Sequence, residues 1–162
     1  MNANEAIKNN IEFCRMVLGQ WISDFSDADL MVRPLPEANH AAWQIGHLIA
    51  SEAQLVGQLG HSVPELPEGF AESHGKEACT SDDPSKFLKK DEYMALMSKV
   101  SEATLAGLAA TPAADLDKPG PEAMREIAPT VGSVFGLVGT HLLMHGGQFV
   151  VTRRKLGKPI LF

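Results

Sequence analysis

The sequence predicts an all-α fold: four long helices gathered into a bundle and joined by long connectors. Four stretches carry apolar residues at the helical period of three to four. None alternates apolar and polar residues at the two-residue period of a strand. The stretches are bounded by residues suited to helix ends and separated by segments dense in Pro, Gly, Ser and Asp. Connectors of this length leave the order of the helices around the bundle open.

In the first helix, over about Asn4–Trp21, a single apolar face comprises Ile7, Ile11, Cys14, Leu18 and Trp21, with Phe25 extending it. The connector "SDFSDADLMVRPLPEANH" follows, with room for one short turn at Asp27-Ala28-Asp29-Leu30. Asn39 suits the N-cap of the second helix and Gly60 its C-terminal stop. Ile45, Leu48, Ile49, Leu55, Val56 and Leu59 form its packing face, and Trp43, His47, Ala50 and Gln54 a neighbouring stripe. About 30 residues of low periodicity come next, an uncommon length for a connector in a compact domain and one typical of lids and binding loops. A third helix spans Lys90–Ala110, with Tyr93, Leu96, Met97, Val100, Thr104, Leu105 and Leu108 along one face. After a proline-rich connector, Thr130 caps a fourth helix that runs to Leu156 and stops at Gly157, with Pro159 beyond. Its five internal glycines each cost about 1 kcal/mol of helix propensity relative to alanine. Such a helix must be held by tertiary packing, with the glycines admitting a neighbouring helix or a second subunit.

The bulk composition narrows the function. A chain of 162 residues, 44% hydrophobic and 21% charged, fits a single globular domain over 1–162. The net charge of −6, with no basic run beyond Arg153, Arg154 and Lys155 at a helix end, argues against nucleic acid as a partner. The N-terminus has no secretory apolar region, and the apolar run near residue 140 is broken by small and polar residues. A cytoplasmic location and no membrane partner are therefore expected. Cys14 and Cys79 have no CxxC spacing, and Cys14 lies on an apolar stripe as a buried thiol would.

Chemistry concentrates in three histidines. His141 and His145, in "GTHLLMHGGQ", are spaced i, i+4 and so share one helix face. With His47 from the second helix they would make a three-nitrogen site for a divalent cation, leaving a coordination position open as catalytic sites do. The alternative is three imidazoles buried as ordinary core residues. A ligating imidazole needs an acceptor for its other N–H. Gln148, one turn beyond His145, and Gln44, close before His47, are candidates; Glu52 is a weaker one. Trp43 shares the stripe of His47. His40, at a helix start, and His61 and His74, in the long connector, are expected to be exposed. Neither a GxSxG elbow, a phosphate-binding glycine loop nor an HExxH motif is present.

Three segments together resemble the DinB superfamily. They are "SDADLMVRPLPEANHAAWQIGHLIASE", with a tryptophan four residues before a histidine; "LPEGFAE"; and "THLLMHGGQFVVTRRKLGKP", with its H-x-x-x-H-x-G-Q core and Leu-Gly-x-Pro end. The resemblance implies a DinB-like four-helix bundle, usually a homodimer, with nickel or zinc bound by His47, His141 and His145. It also implies thiol-dependent S-transferase or isomerase chemistry on a small-molecule substrate, with a low-molecular-weight thiol of the bacillithiol, mycothiol or glutathione kind. Two alternatives remain: a metal-dependent hydrolase, and a non-catalytic bundle that binds a metal or ligand.

Overall fold

The computed structural model describes residues 1–160. The helices are α1 (Ala3–Ile22), α2 (Asp27–Leu30), α3 (Ala41–Gln58), α4 (Phe70–Ser73), α5 (Lys90–Ala110) and α6 (Val131–Lys155). The four long ones form the bundle; α2 and α4 are single turns within the connectors. Among the described residues there is no strand, only an isolated bridge between Pro119 and Thr130.

The helix ends follow local chemistry. Asn2 and Glu5 form a capping box at the start of α1, and Thr130 and Ser133 form another at the start of α6. Gly60 and Gly157 take positive φ angles of 84° and 67° just beyond α3 and α6, where a side chain would be strained. One cap differs from expectation. His40, rather than Asn39, is the N-cap of α3, its Nδ1 accepting the Trp43 backbone N–H at 3.1 Å.

Both α1 and α3 pack on α5 and α6, so α1 and α3 lie across the bundle from each other. Ile11, Cys14 and Leu18 of α1 are fully buried, as are Ile45 and Ile49 of α3 and Phe135 and Phe149 of α6. Each large apolar side chain so buried contributes about 1.5–3 kcal/mol. The closest helix pair, α1 with α6, depends on the glycines of α6: a Cβ at Gly146 would stand 2.4 Å from the Trp21 ring. By length and composition α6 could cross a membrane, with a mean hydropathy of 1.3. In the bundle Phe135, Val138, Leu142 and Phe149 of this helix are buried in the core, while Met144 and Val151 are exposed.

Across the middle of the bundle, Arg15 of α1 pairs with Glu52 of α3, which also accepts a hydrogen bond from Thr104 of α5. The long connector is fastened at several points. Arg33 donates to the carbonyls of Ala38, Cys79 and Ser81 and pairs with Asp82. The indole of Trp43 donates to the Gly75 carbonyl.

Candidate metal centre

The bundle brings His47 of α3 against His141 and His145 of α6, with one ring nitrogen of each within 4.8 Å of the others. His141 and His145 present Nε2 atoms 3.2 Å apart. Two nitrogens on a tetrahedral zinc would be about 3.3 Å apart, given bonds of about 2.0–2.1 Å.

Hydrogen bonding fixes which nitrogen of His145 faces the cluster. Its Nδ1 lies 2.9 Å from Oε1 of Gln44, an oxygen that can only accept, so Nδ1 carries the proton. Gln44 is oriented in turn by its own amide, whose nitrogen donates to the Asn39 carbonyl at 2.7 Å. In the neutral ring the lone pair is then on Nε2, toward His141. Burial, with the neighbouring imidazoles, holds His145 down at about 3 and His141 at about 4. His47 is also lowered by burial, partly offset by a hydrogen bond to the His74 backbone. Trp43 stacks on His47 at 4.9 Å between ring centres and 7° between planes. Three imidazoles kept neutral, with donor atoms converging and two of the rings oriented by neighbours, suit a divalent cation of the nitrogen-preferring kind.

The other candidates sort differently. Gln44 supports His145 on the facing helix rather than His47 on its own. Gln148 lies exposed on α6, about 10 Å along the axis from His141, and makes no hydrogen bond to any of the three rings. Glu52 is turned about 140° around α3 from His47 and is committed to Arg15 and Thr104.

His40 and His74 correct the expectation of exposure, being 0% and 2% exposed. His40 caps α3 through Nδ1, and its Nε2–H donates to the Ser81 carbonyl at 3.0 Å. His74 donates from Nδ1 to the Phe70 carbonyl and accepts from the Tyr93 hydroxyl at Nε2, both at 2.7 Å. Burial lowers the pKa of both rings, and burial raises that of Tyr93. His74 lies so close over α3 that a Cβ on Gly46 would come within 2.0 Å of its ring. His61 is only partly buried and meets Thr111 Oγ1 at 3.1 Å.

Two cavities flank the triad. One, of about 480 Å³, lies between His47 and the long connector, bordered by Leu66, His74, Gly75 and Lys76. The other, of about 350 Å³, lies on the His141 side, bordered by Leu55, Met124, Ile127, Leu137 and Met144. Ser51 and Gln54 of α3 border both. Sequence reasoning missed Ser51, although its i+4 spacing from His47 was a usable signal.

The sequence profile of the DinB superfamily matches residues 10–149. A crystal structure of a conserved protein from Enterococcus faecalis is similar over 98% of this chain and 99% of that one. The TM-score is 0.72 at 12% identity, so the likeness is one of fold. No curated protein matches the chain.

Proposed function

Because the chain belongs to the DinB superfamily, we propose that His47, His141 and His145 hold a divalent metal, nickel or zinc. On this reading the protein is a thiol-dependent S-transferase or isomerase acting on a small molecule. The convergence of the three imidazoles carries the proposal. Bound there, the ion would lower the pKa of a thiol brought to it, supplying a thiolate at neutral pH.

The protein's own groups would do the rest. Gln44 and Trp43 hold two of the three rings in place, so little reorganisation is needed to ligate. Ser51 and Gln54 offer a hydroxyl and an amide to whatever occupies either cavity. Among the described residues no carboxylate borders either cavity. A bound ion would lower the pKa of water as well as of a thiol, so the dependence of turnover on added thiol is what separates transfer from hydrolysis. A homodimer in the cytoplasm completes the proposal.

The test starts with elemental analysis of protein purified without a histidine tag, where about one metal per chain is expected. The loaded protein is then assayed with electrophiles and a panel of low-molecular-weight thiols. Turnover that needs a thiol and vanishes in His141→Ala supports the proposal. Turnover without thiol would assign hydrolysis, and no metal in any preparation would leave a non-catalytic bundle.

A further inference from the structure

The two cavities beside the triad differ in chemistry. The one under the long connector has a cation, Lys76, on its border together with His74 and the turn at Gly75. The one on the His141 side has, among the described residues, no Lys, Arg, Asp or Glu on its border, in a chain with 34 charged residues, 14 basic and 20 acidic. Its apolar border comes from three separate parts of the fold: Leu55 of α3, Met124 and Ile127 of the connector before α6, and Leu137 and Met144 of α6. Ile127 is 70% exposed and Met144 58% exposed, so two large apolar side chains face solvent at one cavity mouth. Ser51, Gln54 and Gln58, at i, i+3 and i+7 on α3, give it a single polar edge. Its volume falls within the range of about 300–1,000 Å³ for small-molecule sites, which are mainly apolar with a few orienting polar groups. Methionine walls adapt to ligands of different shape.

We propose that this cavity binds the uncharged alkyl or aryl portion of the substrate. The electrophile would then reach the triad from the His141 side, and the more polar thiol from the Lys76 side. The assignment of electrophile and thiol rests on the transferase reading above; the apolar specificity of the cavity does not. A small molecule fits better than a second copy of the chain, because the cavity is concave and the imidazole of His141 forms part of its wall.

The experiment uses metal-free protein and the uncharged fluorophore N-phenyl-1-naphthylamine, with n-butanol to n-octanol as competitors. The expected result is saturable binding of one probe per chain. Each added methylene in the alcohol should tighten competition about fourfold, as for apolar burial. Ile127→Glu and Met144→Glu, both at exposed positions and checked for folding by circular dichroism, should weaken the probe at least tenfold. Lys76→Glu, in the other cavity, should leave it unchanged. Wild-type affinity in both Ile127→Glu and Met144→Glu, or no dependence on alcohol length, would overturn the proposal. So would sedimentation showing that probe binding disappears only as dimers become monomers, which would make this face an interface between copies. His47→Ala separates the two ideas: it should lose metal and keep the probe. Wild-type protein that binds probe and never metal would remove the transferase reading and leave the apolar site standing.

Discussion

Replacing Gly46 with alanine tests the packing that holds the long connector over α3. The new methyl carbon would stand 2.0 Å from Cδ2 and 2.2 Å from Nε2 of His74. The ring cannot swing aside freely, since both nitrogens are engaged, by the Phe70 carbonyl and the Tyr93 hydroxyl. Overpacking of this kind costs about 1–3 kcal/mol. Losing two buried hydrogen bonds costs about 1 kcal/mol each. Alanine returns about 1 kcal/mol of helix propensity. The expected net loss is about 2–4 kcal/mol, a fall in Tm on the order of 10 °C for a chain of this size. Gly136→Ala is the control on the same terms: an added Cβ there meets nothing within 4 Å, so propensity alone acts and Tm should rise by a few degrees. Calorimetric or circular dichroism melts of the two variants beside wild type decide the matter. If Gly46→Ala melts at or above the wild type, His74 is not locked against α3 as described.

Three other perturbations probe the triad and the bundle. Gln44→Leu removes the acceptor that sets the tautomer of His145 and should weaken zinc or nickel binding about 10–100-fold in chelator competition, while Gln44→Glu keeps most of it. In metal-free protein, His145 at about 3 and His141 at about 4 lie below their unfolded value of 6.5. Their stability contribution is therefore complete above pH 6.5 and is lost as pH falls toward those values. Between pH 6.5 and 4.5 His145 alone withdraws about 2 kcal/mol, and urea midpoints that do not move would refute its burial as a neutral ring. Arg15→Met strands the carboxylate of Glu52, which is 5% exposed, and should cost about 3–5 kcal/mol. Adding Glu52→Leu should recover most of that loss in denaturant titrations; no recovery would place the damage in packing rather than in the unpaired charge.

Much of the bundle was legible because helical period and caps are local. The third helix was predicted over the residues it occupies, Lys90–Ala110, and the fourth began at its Thr130 cap. The i, i+4 pair on α6 was legible for the same reason. What sequence reasoning missed depends on contacts between residues far apart in the chain. Nothing near His40 announces that Ser81 will come to its Nε2, and nothing near His74 announces Tyr93. A helix-start position for His40 and a connector position for His74 suggested exposed imidazoles, and both rings are instead buried as hydrogen-bonding pieces of the interior. Gln44 was noticed for its nearness to His47 in sequence, yet α3 turns it toward α6, where its partner is 101 residues away. Glu52 was the weaker candidate for a related reason: five residues along a helix carry a side chain to different neighbours, here Arg15 and Thr104.

His40 uses one ring nitrogen to start the helix bearing His47 and the other to grip Ser81 in the connector that walls that side. Lifting the wall would unfasten the first turn of its own scaffold, and Arg33 ties down the same segment. Moving the segment would thus break bonds that start α3, so under the proposed function the openings already present are the expected route to the triad.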